Sequence, residues 1–320
     1  MRLALLLVTA CSSAAAPAVP RDARLAVHDA PRDAGTQALR WIPGDLHMHV
    51  APIDAVEGQT LDIAHMGAVA HAAGLEFVIA TPHTHPWTWA DPAQRRSWLA
   101  KWSAIAVAAR ATTGTTIIPG VEYTDSSYGH FGVSGVDLNT IGDHFLADAT
   151  KAGAFVVVNH PFAVPTNIPG IAASDRDLSF RPWSDHRGVV PHLDGVEVWN
   201  VPLGLANMIS RPNGQTGEQR AFLAADALAR AEHRRIAVVG GSDSHHPTME
   251  PTTWVLAPDA SAHAILAALH GAATCVGGPE AGTLEAHGDA DPARRSFRGN
   301  HAAGDRFQRD FRSGNFRQPA

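Results

Sequence analysis

The sequence predicts an α/β fold in which a largely parallel sheet closes, or nearly closes, into a barrel. Short β-rich runs alternate with Ala-rich or amphipathic helical segments along most of the 320 residues, and such alternation is typical of a parallel sheet covered on both faces. Histidines and acids lie near the ends of most β-rich runs. Because strand ends in a barrel converge on one point, seven β units with a shared site favour a barrel over an open sheet.

The β-strand candidates are short apolar runs. They are Trp41–His47, Leu75–Thr81, Thr116–Glu122, Phe131–Val136, Ala154–Asn159, Gly195–Trp199 and Ile236–Gly240. The fifth run is apolar throughout, as expected of a strand that is buried on both faces. No glycine-rich phosphate fingerprint follows the first strand, which counts against a nucleotide-binding sheet.

Helices are predicted between most of the strands. The helical segments are Thr60–Ala73, Pro92–Thr112, Ile141–Ala152, Glu218–His233 and Ser261–His270. The stretch from 161 to 194 is rich in Pro, Arg and Asp and has no clear period. Because it leaves directly from His160, we expect a lid or a substrate-binding loop there.

The two ends of the chain are expected to lie outside the barrel. An apolar run at residues 3–8, followed by Ala10-Cys11, is similar to a bacterial lipoprotein signal, so we interpret residues 1–20 as an export signal and 21–40 as a linker. A lipid anchor at Cys11 would place the exported protein in the periplasm or on the cell envelope. An ordinary secretory signal and a misassigned start codon are the alternatives. The Arg-rich segment 281–320 is interpreted as a poorly ordered tail, so the barrel domain spans residues 41–280.

Composition narrows the classes of function. The net charge is −6, whereas a nucleic-acid-binding protein needs clustered Lys and Arg to neutralise phosphates. We therefore expect a small-molecule substrate, no nucleic-acid partner, and no membrane contact beyond an anchor at Cys11. Histidine is unusually frequent, with 19 residues, and a neutral imidazole is the commonest metal ligand.

Two pairs of candidate metal ligands lie at the first and last predicted strands. The segment Asp45–His49 places His47 and His49 at positions i and i+2 of a strand end, where both side chains point the same way. Asp243-Ser244-His245 repeats that spacing after the last predicted strand. Glu122 and His160 also lie at strand ends. Imidazoles and carboxylates hold zinc, manganese or iron, so the pattern predicts a metal site.

These motifs, in this order, resemble those of the PHP (polymerase and histidinol phosphatase) family. The resemblance covers roughly residues 41 to 250. It rests on Asp45-Leu46-His47-Met48-His49, Ala80-Thr81-Pro82-His83, Pro119-Gly120-Val121-Glu122, Asn159-His160-Pro161 and Gly241-Ser242-Asp243-Ser244-His245. Two further segments, Gly129-His130-Phe131 and Glu197-Val198-Trp199-Asn200, look more like the branch that contains the carbaryl-type hydrolases.

The resemblance implies a distorted (β/α)7 TIM-like barrel with two or three divalent ions (Zn, Mn or Fe) at the C-terminal ends of the strands. The first ion would be held by His47, His49 and Asp243. Glu122 would bridge this ion to a second, which His130 and His160 complete. The third would be held by Asp54, His83 and His245. The residues expected to act in catalysis are Glu122, His160 and Asp243.

One position departs from the family pattern. The family usually has Thr-Asp-His where this chain has Thr81-Pro82-His83, so an acid expected beside the third ion is missing. His85 could take its place, or the third ion could bind weakly or be absent. Three other histidines are interpreted as solvated or packing residues: His65, His71 and His246. Asn200 either orients a ligand or substrate, or satisfies the backbone.

Three hypotheses of function follow. The leading one is an exported metal-dependent hydrolase, a phosphoesterase that attacks phosphate mono- or diesters with a metal-bridging hydroxide. The second is a hydrolase of carbamates, amides or carboxylic esters with the same site, and the third is a non-catalytic metal-binding surface protein. Arginines in the long loops are candidates for holding a phosphate: Arg176, Arg181, Arg187 and Arg211. Three tryptophans either line an aromatic pocket or pack in the core: Trp87, Trp89 and Trp183.

Overall fold

The computed structural model describes residues 38–54, 61–125, 129–161, 188–200, 217–245 and 252–277. Within these residues, ten strands form one sheet. They are β1 Arg40–Met48, β2 Phe77–Ala80, β3 His83–Thr84, β4 Thr116–Asp125, β5 Gly129–Ser134, β6 Phe155–Asn159, β7 Gly195–Asn200, β8 Ala237–Gly241, β9 Thr252–Ala257 and β10 Thr274–Gly277. The order across the sheet is β10-β9-β1-β2-β4-β5-β6-β7-β8, and the short β3 pairs with β4.

The C-terminal end of β1 meets the segment that follows β8, the last strand in the sheet order. The amide of Asp243 donates to the carbonyl of His47 at 2.8 Å, and the amide of His49 donates to the carbonyl of Ser244 at 3.0 Å. Met48 and Ser244 form a parallel bridge. These bonds nearly close the sheet, so the predicted α/β fold with a barrel-like sheet is confirmed.

The sheet is more mixed than the sequence predicts. Parallel pairs join β1 to β2, β2 to β4, β6 to β7 and β7 to β8. Antiparallel pairs join β4 to β5, β5 to β6, β1 to β9 and β9 to β10. Only residues 126–128 separate β4 from β5, and so short a connection can join only antiparallel neighbours, because a parallel crossover needs about a dozen residues. The expectation of a largely parallel sheet is therefore wrong at β5, and β9 and β10 are strands that the sequence analysis missed.

Six α-helices connect the strands within the described residues. They are α1 Ile63–Ala72, α2 Pro86–Ala90, α3 Pro92–Ala111, α4 Phe145–Lys151, α5 Gly217–Ala231 and α6 Ala262–His270. Side chains cap three of them at the N-terminus. Asp62 accepts a hydrogen bond from the amide of His65, Asp91 from the amides of Ala93 and Gln94, and Ser261 from the amide of Ala264. Such caps satisfy orphan amides, so α1, α3 and α6 begin close to their predicted positions. The sequence did not predict α2, and α4 begins four residues later than expected.

The helices cover both faces of the sheet. Alternate residues of β6 illustrate this, because Val156 and Val158 pack outward in the cluster that includes α3, α4 and α5. Phe155 and Val157 face the opposite way and pack in the cluster that includes α6. A third cluster joins α1 and α3 to the outer side of β1, β2 and β4. Helix α6 therefore fills the inner side of the curled sheet, and the polar strand ends are left for a site.

Several sequence predictions fall outside the described residues. These are the export signal at 1–20 with Cys11, the tail at 281–320, most of the linker at 21–40 and of the loop at 161–194, and the side chains of Arg176, Arg181, Arg187, Arg211, Trp183 and His246. Within the described part of the chain, no helix combines the length and the apolar character that crossing a membrane requires.

Candidate metal centre

The candidate ligands of the sequence analysis meet at one end of the curled sheet. Four overlapping groups of side chains each bring one ligand atom per residue to within 4.8 Å of the others. The groups are His47–His49–Asp243, His47–Glu122–His160, His83–Glu122–His130 and His49–His83–His245. The expectation that distant strand ends bring imidazoles and carboxylates together is therefore confirmed.

Glu122 lies at the centre of this cluster and is fully buried at 0% exposure. Its Oε1 lies 3.1 Å from both His47 Nε2 and His130 Nδ1, and 3.4 Å from His160 Nε2. Its Oε2 lies 3.0 Å from His83 Nε2. Burial raises the pKa of Glu122, but the surrounding imidazoles, His130 and His47 foremost, outweigh burial and hold that pKa well below its usual range. This carboxylate is therefore ionised and faces nitrogen atoms on several sides.

Asp243 lies on the other side of His47. Its Oδ1 is 2.9 Å from His49 Nε2 and 3.4 Å from His47 Nε2. Burial raises the pKa of Asp243, but His47 and the neighbouring imidazoles lower it by more, so the carboxyl is ionised. The backbone here is left-handed, with φ of 53° at Asp243 and 31° at His160. Non-glycine residues adopt such angles at a cost, most often at functional sites where the surroundings impose them.

Asp54 contacts the rings of His49 and His83 through their Nδ1 atoms, on the sides that face away from Asp243 and Glu122. Its Oδ2 is 3.2 Å from His49 Nδ1, and its Oδ1 is 3.0 Å from His83 Nδ1. The amide of His83 also donates to this carboxylate. Burial lowers the pKa of His83, but its hydrogen bonds to Asp54 and Glu122 raise it to about 10. Asp54 is absent from the four groups, and its contacts are those of an outer carboxylate that orients two ligands.

His245 completes the fourth group from the far side of His49. The two rings stack with centroids 4.1 Å apart and planes at 2°. Burial and the neighbouring His49 lower the pKa of His245 to about 4, so its ring is neutral near pH 7. Its buried Nδ1 has no hydrogen-bond partner in the described part of the chain. A neutral imidazole with an unused buried nitrogen is suited to hold a metal ion.

Glu197 is a buried acid of β7 that the sequence analysis did not select as a site residue. Its Oε1 lies 3.2 Å from His47 Nδ1. Its Oε2 accepts hydrogen bonds from the amide of His160 at 2.7 Å and from Asn200 Nδ2 at 3.2 Å. The sequence offered one signal for this role, a single acid inside the apolar run Gly195–Asn200. A charged side chain is rarely buried in a strand unless it has hydrogen-bond or ionic partners there.

Two further residues join β1 to β8 beneath the cluster. The buried Oδ1 of Asp45 accepts from the amides of His47 and Ser242 at 2.9 and 3.1 Å, and burial raises the pKa of this carboxyl to about 6. At Gly241, a Cβ would lie 2.3 Å from His47 Cβ and 2.7 Å from Glu197 Oε1. Glycine is therefore needed for the close approach of the two strands.

Other candidates lie away from the cluster. His85 is absent from the four groups and contacts the carbonyl of Thr124 at 3.4 Å. His65 and His71 lie exposed on α1, as the sequence predicts. Trp89 is 2% exposed and belongs to the core. Asn200 is fully buried and contacts Glu197 instead of any candidate ligand.

The donor set fits divalent ions. The four groups contain six histidines and two acids, which are the ligands that zinc, manganese and iron accept. The two ionised acids also act on the imidazoles beside them: burial lowers the pKa of His47 and His160, but the charges of Asp243 and Glu122 raise it by more. Two acids and six imidazoles also exceed the four ligands of one structural zinc.

Comparisons with known proteins find similar solved structures, although no protein-family model and no curated protein matches the sequence. A two-domain protein from Bacteroides vulgatus containing a predicted PHP-like metal-dependent phosphoesterase is 21% identical, over 78% of this chain and 69% of that one, with a TM-score of 0.49. PsfC from Pseudomonas syringae is 15% identical, over 86% of this chain and 99% of that one, with a TM-score of 0.47. The lesion-specific endonuclease PfuEndoQ from Pyrococcus furiosus is 13% identical, over 76% of this chain and 61% of that one, with a TM-score of 0.41.

Proposed function

We propose that this protein is a metal-dependent hydrolase of the PHP type and that its substrates are phosphate esters. The observation that carries the proposal is the shared carboxylate of Glu122, which belongs to two of the four ligand groups. His47 and His49 are each shared in the same way. Ligands shared between groups place ions side by side, and this arrangement belongs to catalytic sites more than to a single structural ion.

Neighbouring divalent ions would lower the pKa of a water molecule and neutralise charge on the group that is attacked. The protein's own part is to hold the ligands still. Asp54 orients His49 and His83, and Glu197 orients His47 while fixing the backbone of His160. Asp243 is the most exposed of the cluster acids, with 15% of its side chain accessible, and it is the group proposed to exchange protons with the substrate.

The assignment of ligands remains the one that the resemblance implies, with one refinement. We propose His47, His49 and Asp243 for a first ion, and these three form one of the four groups. Glu122, His130 and His160 are proposed for a second, with Glu122 joining the two groups to which His130 and His160 separately belong. His83 and His245 would serve a third. Asp54 is proposed to act from outside the ligand shell, and the placement of the protein in the carbaryl-hydrolase-like branch stays a prediction.

The test is a reconstitution assay. Protein treated with chelator and reloaded with Mn²⁺ or Zn²⁺ is assayed with p-nitrophenyl phosphate, bis-p-nitrophenyl phosphate and naphthyl carbamate. We expect turnover of a phosphate ester and more than one ion per chain by elemental analysis. Glu122→Gln should lose activity at least 100-fold, as expected when a group that holds the metals is removed, while Glu232→Gln, a change at an exposed acid after α5, should not. Turnover of the carbamate alone would favour the second hypothesis, and no turnover with any ion would favour a non-catalytic metal-binding protein.

Export and partners are separate proposals. Cell fractionation, with mass measurement of the mature N-terminus, tests the proposed signal at 1–20 and the lipid at Cys11. The absence of a nucleic-acid partner is a prediction from the net charge of −6. A gel-shift measurement with duplex DNA tests it, since endonuclease Q, one of the similar solved proteins, forms a complex with a 27-mer duplex substrate.

A further inference from the structure

Asn159 is a buried amide of β6 whose side chain reaches the central acid of the cluster. Its Nδ2 donates to Glu122 Oε1 at 2.8 Å. The same nitrogen lies 3.5 Å from His47 Nε2, so the bond to the carboxylate is the stronger of the two contacts. An ionised carboxylate can only accept, and the amide must therefore present its NH₂ group to Glu122. Asn159 is 3% exposed and Glu122 is 0% exposed, which shields this hydrogen bond from water.

A glycine on the strand between them makes the contact possible. β5 separates β4 from β6 in the sheet, and its Gly132 pairs with Glu122 on one side and with Val157 on the other. Side chains at these paired positions, and at Asn159 two residues beyond Val157, point to the same face. A Cβ at Gly132 would lie 3.1 Å from Asn159 Oδ1 and 2.7 Å from Val157 Cγ1. Because no side chain stands there, Asn159 reaches across β5 to Glu122.

The other close neighbours of the Glu122 carboxylate are candidate ligands. The imidazole nitrogens within 3.4 Å of it belong to His47, His83, His130 and His160, and each of these residues is a member of a ligand group. A nitrogen that holds an ion has no proton to donate. Among the residues that the structure describes, Asn159 is therefore the one side chain that donates to Glu122 without being a candidate ligand itself.

This hydrogen bond distinguishes the two oxygens of Glu122. Oε1, which accepts from Asn159, faces His47, His130 and His160, whereas Oε2 faces His83. Each carboxylate oxygen has two lone pairs, and Asn159 uses one on Oε1 and none on Oε2. Rotation of the carboxylate would break the bond, so the amide fixes which oxygen faces which histidines.

We propose that Asn159 is a positioning residue that holds Glu122 in place for the second ion. This inference rests on the proposed function. In the metal-free protein the imidazoles also hold the carboxylate, but in the loaded protein their nitrogens would face ions, so Asn159 matters most when ions are bound. The group proposed for the first ion is His47, His49 and Asp243, without Glu122. Loss of Asn159 should therefore weaken the second ion and leave the first nearly unchanged.

Binding of Mn²⁺ to the chelator-treated full chain tests the proposal without turnover. Free Mn²⁺ is followed by its EPR signal during a titration, which gives the affinity of each binding step. Asn159→Ala and Asn159→Leu both remove the donor, the first leaving a space and the second filling it. Both should weaken one step about tenfold, the lower end of the range for residues that orient ligands, and leave another step at its wild-type affinity. The weakened step should be the one that Glu122→Gln also weakens.

Two further measurements separate positioning from packing. Low-temperature EPR detects the coupling between neighbouring Mn²⁺ ions, and the coupled signal should need correspondingly more Mn²⁺ in both variants. Urea unfolding of the metal-free variants checks that the fold is retained. The matched control is Asn139→Ala, a change at an exposed asparagine after β5, which should bind every ion like the wild type.

Equal weakening of every step, or no weakening in either variant, overturns the proposal. A loss confined to one of the two variants would come from the changed volume instead of the lost donor, and also overturns it. If the variants weaken one step but the wild type hydrolyses no phosphate ester, the proposed function fails and the role of Asn159 stands. Turnover by the wild type with unchanged ion affinities in both variants has the reverse meaning, and a single binding step in the wild type would overturn both.

Discussion

The substitution Glu197→Gln tests whether a buried carboxylate, which the sequence did not identify as a site residue, sets the metal affinity of the site. Oε2 of Glu197 accepts from His160 N and Asn200 Nδ2. An amide at this position must turn its oxygen toward those two donors, so its NH₂ group faces His47 Nδ1 in place of Oε1. His47 Nδ1 then has to accept a hydrogen bond from this NH₂ group, and the ring proton moves from Nδ1 to Nε2.

This change of tautomer opposes metal binding, because Nε2 of His47 is the atom that faces Glu122 and Asp243 at 3.1 and 3.4 Å. Restoring a free Nε2 leaves two buried N–H groups facing each other. A buried donor without a partner costs about 2 kcal/mol, which is roughly a 30-fold loss of affinity. That value lies within the about 10- to 100-fold range typical of outer residues that orient ligands.

The assay is a competition between the chelator-treated protein and a chromophoric Zn²⁺ chelator. Glu232→Gln makes the same chemical change at an exposed acid and should leave the affinity unaltered. Urea unfolding of the metal-free variants checks that the fold is retained. The reasoning is refuted if Glu197→Gln binds Zn²⁺ as tightly as wild type while Glu122→Gln binds it weakly.

Three further outcomes are expected. The pKa of His83 is raised to about 10, so its contribution to the stability of the metal-free protein is complete below about pH 6.5 and is lost as the pH rises through the folded-state value. Urea unfolding between pH 6 and 10 should show this decline in stability. Over the same range the affinity for Zn²⁺ should rise, because a metal-bound imidazole must be neutral. Asp54→Asn should weaken metal binding about tenfold without changing the number of ions per chain, and elemental analysis showing one ion fewer would make Asp54 a ligand after all. Gly241→Ala should cost about 3 kcal/mol of unfolding free energy, since the new Cβ lies 2.3 Å from His47 Cβ; Gly188→Ala, where nothing lies within 4 Å, is the matched control.

Local chemistry explains why some features could be predicted from the sequence. Three helices begin at a side chain that accepts hydrogen bonds from amides within the next three residues: Asp62, Asp91 and Ser261. The starts of these helices can therefore be predicted from short stretches of sequence. The spacing of His47 and His49 places both rings on one side of an extended chain. Ligands such as Glu122 and His160 therefore followed from strand ends and residue type, whereas Asp54 and His130 followed from the resemblance to the PHP family.

Distant packing decided the rest. The role of Glu197 depends on His47, 150 positions away along the chain. The position of α6 on the inner side of the sheet depends on which of two apolar faces is enclosed, and a strand that is apolar on both faces does not reveal this. The separation of Trp87, which is exposed, from the buried Trp89 depends on how the single turn of α2 meets α4.

By itself, the order of residues determined an α/β barrel-like chain with imidazoles and acids at its strand ends, because strand period, helix caps and ligand chemistry act over a few residues. Only the tertiary structure decided which acid is shared between ligand groups, which carboxylates stand behind the ligands, and which tryptophan faces solvent. The physical reason is that these roles depend on distances of about 3 Å between atoms from separate strands. Such distances are set only when the sheet curls and its buried polar groups find their partners.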